Sequence, residues 1–148
     1  MIERYGRATA IACIRGDGAH PKLSGTVRFV PQKDGTLIVA KLRGLPENEK
    51  GFFGFHIHEI GNCQGLGFPA TGTHYDPDQR AHPGHRGDLP PLMADRGDAY
   101  MAVLSRRFSV GDVIGKSVVI HGLPDDFTSQ PAGNAGEKIA CGIIRRSL

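Results

Sequence analysis

The sequence predicts an all-β fold, an antiparallel β-sandwich or barrel, and three observations support it. Apolar and polar residues alternate at period two in seven separate pieces. Twenty-one glycines and ten prolines punctuate 148 residues, which favours short elements joined by many turns. No window carries a helical stripe longer than about two turns.

The elements follow in chain order. "RATAIACI" (7–14) alternates and stops at the turn-forming "RGDGAHP". "GTVRFVP" (25–31) and "TLIVAKLRGL" (36–45) flank "QKDG", a hairpin signal. The polar loop "PENEKG" precedes "FFGFHIHEI" (52–60), and "AYMAVLSRRF" (99–108), "GKSVVIHGL" (115–123) and "EKIACGIIRR" (137–146) complete the set. Residues 61–98 and 122–136 lack a strand pattern. Irregular stretches of that length in a compact domain are usually functional or disordered. The length suits one domain, residues 1–148, large enough for its own core.

Charge and composition narrow the function. A net charge of +3 from dispersed lysines and arginines, with no interleaved aromatics, predicts no nucleic-acid partner. No segment approaches a membrane span, and the N-terminus, with Glu3 early, has no apolar core long enough for a signal peptide. That favours the cytoplasm unless a leader was removed. Cys13, Cys63 and Cys141 permit one disulfide and one free thiol.

Histidine is the unusual feature. Strand alternation puts His56 and His58 on one face and Phe55 and Ile57 on the other, with the two imidazoles about 7 Å apart, within reach of one ion. His121 ends the apolar "SVVI", and "THYDPDQRAHPGHRGD" spaces His82, His85 and Asp88 by three. His20, in a turn before proline, is expected to be a surface residue. Nitrogen-rich sites suit copper, zinc, iron or nickel. Three histidines with one aspartate form a plausible closed zinc set, and four histidines with open access suit copper. Composition does not choose between these metals.

At these residues the chain resembles the copper/zinc superoxide dismutase family. "GFHIHEIG" is similar to that family's first copper-ligand strand, and "GTHYDPDQRAHPGHRGDLPPLMAD" to its zinc loop. "VVIHGLPDD" resembles its late copper-ligand segment, "GNAGEKIACGII" its C-terminal signature, and "IACIRGDG" its first strand and turn. The resemblance implies a Greek-key, immunoglobulin-like barrel with a long metal-binding loop and a shorter second active-site loop. It implies copper ligands His56, His58, His74 and His121, and zinc ligands His74, His82, His85 and Asp88, with His74 shared and active in catalysis. It further implies that Asp125 orients a copper histidine and a zinc histidine, with Asp126 able to replace it if the register slips. A Cys63–Cys141 disulfide is also implied, leaving Cys13 as a small, inert core residue. The implied reaction converts superoxide to dioxygen and hydrogen peroxide.

Two departures qualify the resemblance. The family's substrate-guiding arginine is Lys138 here, which keeps the charge but loses the planar fork of donors and predicts reduced activity. Arg145 and Arg146 fall where eukaryotic-type dimers bury apolar groups, so a monomer or a different dimer is expected. The alternative reading is a copper/zinc-binding relative of low activity that sequesters metal.

Overall fold

The computed structural model describes residues 6–147. Strands β1 (Ala10–Gly16), β2 (Ser24–Gln32) and β3 (Gly35–Arg43) form an antiparallel meander. Gln32 pairs with Gly35 across a two-residue turn, as "QKDG" predicts. The chain continues through β4 (Phe52–Phe53), β5 (Phe55–His58), β6 (Leu92–Met93), β7 (Ala99–Ser105), a single helical turn at Val110–Val113, β8 (Ser117–His121) and β9 (Lys138–Arg146). One seven-stranded antiparallel sheet runs in the order β5-β8-β9-β1-β2-β3-β7, and β4 pairs separately with β6.

This curled sheet is the expected all-β Greek-key barrel. β4 runs almost directly into β5, β6 packs on β7, and the β4–β6 ribbon thus spans the gap between the sheet's two edges. Alternation fills the interior: Ile14, Val27, Phe29, Ile38, Phe55 and Ile57 are each at most 1% exposed, within one contiguous apolar cluster. Burial on that scale, at about 25 cal/mol per Å² of apolar surface, is the dominant favourable contribution to the fold.

Three details differ from the expectations. "FFGFHIHEI" is two strands, because Phe52–Phe53 pair with β6 and Phe55–His58 with β8. Gly54 between them donates to Leu123 O and accepts the His121 N–H, and a Cβ there would lie 2.7 Å from that of Ala135. The stretch 61–98 contains β6, too short for periodicity to reveal, anchored by fully buried Leu92. Cys13 is free as expected but exposed rather than in the core, since alternation along β1 turns its side chain outward between buried Ala12 and Ile14. His20 lies in its turn with its ring 2.7 Å from an Asp17 carboxylate oxygen. Among the described residues no helix is long and apolar enough to cross a membrane. Residues 1–5, including Glu3, lie outside the described range.

Candidate metal centre

β5 is an edge strand, and an unpaired edge must be covered or blunted. The loop after it does the covering. Glu59 donates its N–H to Thr73 O at 2.8 Å, Tyr75 donates to Ile57 O at 2.8 Å, and Ile57 donates to Gly87 O at 2.8 Å. Isolated bridges pair His58 with His74 and His56 with Asp88. The long loop is therefore strapped along β5, and its polar side chains meet those of the strand. All four β5 residues are buried, Phe55 and Ile57 by the core, His56 and His58 by this loop.

His121 arrives from the neighbouring strand. A register shift between Ile120 and His121 re-aims the end of β8 and sets His121 opposite Lys138 on β9. One nitrogen from each of His56, His58, His74 and His121 then lies within 4.8 Å of the others. His58 Nε2 and His121 Nε2 are 3.3 Å apart.

A second cluster adjoins the first. His74 Nδ1 lies 2.8 Å from Asp88 Oδ1 and 3.2 Å from His85 Nδ1, and His82 Nδ1 lies 3.2 Å from Asp88 Oδ2. His56, His74, His82 and Asp88 also offer atoms within 4.8 Å of one another. His56 belongs to both groupings, and its ring stacks on that of His74 at 4.0 Å. His85 lies beside this cluster, with Nδ1 3.1 Å from Asp88 Oδ2.

Hydrogen bonds behind the rings decide which nitrogens remain available. His56 Nε2–H donates to Asp125 Oδ2 and His82 Nε2–H to Asp125 Oδ1, both at 2.8 Å. His58 Nδ1–H donates to Gly72 O at 2.9 Å and His121 Nδ1–H to Gly136 O at 3.3 Å. Each bond fixes a tautomer and leaves the opposite nitrogen as a bare lone pair pointing inward. Among the described residues, His56 Nδ1, His74 Nε2 and His82 Nδ1 are buried side-chain atoms with no hydrogen-bond partner. Orphaned acceptors are costly in a folded interior, and converging ones fit metal ions that take nitrogen and carboxylate donors.

Loop 122–136 closes over this centre. Asp125, rather than Asp126, bridges the two histidines, and it also accepts the Phe127 N–H at 2.8 Å. Asp126 instead accepts the N–H groups of Thr128 and Ser129 at 2.9 and 2.8 Å. Gln130 grips the backbone of the long loop, accepting from His82 N at 2.9 Å and donating to His82 O at 2.7 Å. Arg107 donates to Pro83 O and His85 O at 2.9 and 2.8 Å. Gly133, at φ +73°, passes so close that a Cβ there would collide with the Asp125 carboxylate and lie 2.6 Å from His82 Nε2. The sequence reading missed Gln130, Arg107 and Gly133, because their partners are distant in the chain and their residue types carry no metal signature.

Burial sets the protonation of the metal-free rings. Desolvation, with smaller repulsion from neighbouring rings, lowers the pKa of His58 to about 2 and of His121 to about 3. His74 is lowered too, chiefly by burial. For Asp88 and Asp125 burial alone would raise the pKa, but hydrogen bonds from the histidines outweigh it and both are lowered. In the unfolded chain His58 and His121 bind protons below about pH 6.5. The folded chain does not bind them until about pH 2 and 3. Their contribution to stability is therefore present above pH 6.5 and lost as pH falls through that window, by up to about 1.4 kcal/mol per pH unit for each ring. Thermal unfolding of the metal-stripped chain should show a melting temperature that drops between pH 7.5 and pH 5.

Fold and site together define an all-β barrel protein carrying two adjoining histidine-rich clusters able to hold metal ions. The family model described as copper/zinc superoxide dismutase matches residues 23–144, most of the chain. The chain is 34% identical to Superoxide dismutase Cu-Zn 1 of Aquifex aeolicus over 136 residues, covering 82% of this chain and 79% of the relative. It is 37% identical to the Cu-Zn superoxide dismutase of Legionella pneumophila, covering 86% of this chain and 82% of the relative. It is also 36% identical to the human copper chaperone for superoxide dismutase, covering 99% of this chain but 56% of that protein. The chain belongs to the copper/zinc superoxide dismutase family. It is an oxidoreductase of that family, with copper and zinc as its metals and superoxide as its substrate.

Proposed function

We propose that the chain dismutates superoxide with copper held by His56, His58, His74 and His121 and zinc held by His74, His82, His85 and Asp88. The observation that carries this reading is the His74 ring. Its Nε2 is buried and unpartnered, while its Nδ1 lies 2.8 Å from Asp88 in the neighbouring cluster. One ring between two donor sets supports a bridging imidazolate.

When bound, copper supplies the one-electron redox cycle and zinc a fixed structural charge. The chain's residues do the rest. Asp125 accepts the Nε2–H groups of His56 and His82 and so keeps their protons on Nε2, which leaves the Nδ1 lone pairs free to hold the ions when these are bound. His74 Nε2, buried and unpartnered, would take up a proton whenever it is released from copper and would give that proton up to the product peroxide. Loops 61–88 and 122–136 exclude bulk water from the rings. Lys138, half-buried beside His58 and His121, supplies the positive charge that draws the anion.

In a cytochrome-reduction competition assay, the chain loaded with copper and zinc should dismutate superoxide. Zinc loading should also alter the copper spectrum in the parent chain and leave it unchanged in His74→Ala; a zinc response that survives the substitution rules out the shared ring. A second reading, metal sequestration with low turnover, draws support from Lys138 and from the copper-chaperone relatives. Tight uptake of both metals without dismutation would favour it.

Lys138→Arg should raise the rate about twofold, because a guanidinium fork offers paired donors where the ammonium is a point charge. The parent rate should fall as salt is added, since screening shortens the reach of that charge. Salt independence would remove Lys138 from the mechanism. Exposed Arg145 and Arg146 at the end of β9 support a monomer or a dimer unlike the eukaryotic type. A dimer in analytical ultracentrifugation that Arg145→Glu dissociates would contradict this.

A further inference from the structure

We propose that Thr71 is the positioning residue for the guiding cation, fixing Lys138 Nζ at the mouth of the histidine cluster in place of the anchoring a forked side chain would provide. The inference rests on the dismutase reading above.

A lysine ammonium is a compact charge on a flexible four-carbon stem, and an unanchored one spreads its field over many positions. Lys138 is not unanchored. Its Nζ donates to Thr71 Oγ1 at 2.8 Å and makes longer contacts with Phe68 O and Gly72 O, both at 3.4 Å. Only the threonine contact falls within the ordinary hydrogen-bond range, so the hydroxyl is the tight anchor.

The hydroxyl is oriented for this task. Thr71 is fully buried, and its own proton goes to Phe68 O at 2.9 Å, which turns its lone pairs toward the ammonium. A directed chain results, from Lys138 Nζ–H to Thr71 Oγ1–H to Phe68 O. Its far end is packed in place: buried Phe68 lies against Val119 and Cys141, at φ 52° at the entry to the short 3₁₀ turn Pro69–Thr71. Its near end is tied to the cluster, because Gly72 O also accepts the His58 Nδ1–H at 2.9 Å. Lys138, Gly72, His58, His74 and His121 line one cavity, which would admit a small anion to the rings.

The test is azide binding to the copper- and zinc-loaded chain, followed by the visible copper spectrum. Thr71→Val keeps the shape and removes the oxygen, and it should raise the azide Kd about fivefold, the loss of one charge-assisted hydrogen bond in part. Thr71→Ser restores the oxygen and should stay within about twofold of the parent. In a Lys138→Met background, Thr71→Val should produce no further change. An unchanged Kd in Thr71→Val, failed rescue by serine, or a full effect without Lys138 would each overturn the proposal. NMR of the lysine ammonium signals in the loaded parent, with its copper reduced to diamagnetic Cu(I), gives a reading that needs no substitution: slowed exchange at Lys138 is expected, and averaging like that of surface lysines overturns it. A parent chain that binds azide without dismutating superoxide sinks the dismutase reading but leaves Thr71's effect on azide intact, so the two failures are distinguishable.

Discussion

Asp125→Ala is expected to weaken copper and zinc binding together, by about 10–100-fold each, although Asp125 is not placed among the ligands of either ion. Its two oxygens receive the Nε2–H groups of His56 and His82 at 2.8 Å. Without them each ring loses the bond that fixes its tautomer and its rotation, and two buried donors are left unpaired. The Phe127 N–H loses its acceptor as well, so loop 122–136 loosens at the same point. Asp125→Asn should be intermediate, because an amide offers one acceptor and one donor where the site needs two acceptors. Chelator competition measures both affinities. A loss confined to one metal would show that the carboxylate serves one cluster alone.

The second large effect is on stability. Cys63 and Cys141 form a disulfide across a sequence separation of 78, joining the loop that follows β5 to strand β9. Closing a loop of that length removes enough unfolded-state freedom to stabilise the fold by about 4 kcal/mol in the chain-entropy model. The joint Cys63→Ser, Cys141→Ser variant avoids a stray thiol and should show that loss in chemical denaturation of the metal-stripped chain. The consequences reach the site. Phe68 packs with Val119, Cys141 and Cys63, and Phe68 O is the end point of the Thr71–Lys138 chain. Activity in fully metal-loaded variant protein should therefore fall further than metal content alone accounts for.

Most of the barrel was legible because alternation at period two writes burial directly into the sequence. Ile14, Phe29, Ile38 and Ile57 are all core residues at positions that alternation marks. β6 was not legible, since two residues carry no period, and Cys13 misled because a small apolar side chain is compatible with either face. The candidate donors stood out for a different reason: the spacing of His56, His58, His82 and His85 is unusual in itself, whereas His74 was named only through the family resemblance. What the spacing could not show is how the loop reaches them. The strap of backbone hydrogen bonds from Thr73, Tyr75 and Gly87 onto β5 uses groups that every residue possesses. The Gln130 clamp on His82 joins positions 48 apart, with nothing in either neighbourhood to mark the pair.

Gly133 donates nothing to either cluster, yet its missing side chain is what lets the second loop lie flat over Asp125 and His82. Inheritance can therefore silence this centre without touching a single donor. A descendant bearing any larger residue at 133 would still read as an intact member of its lineage, letter by letter at every histidine and aspartate. Surveys that judge such chains by their donors alone would count it among the living.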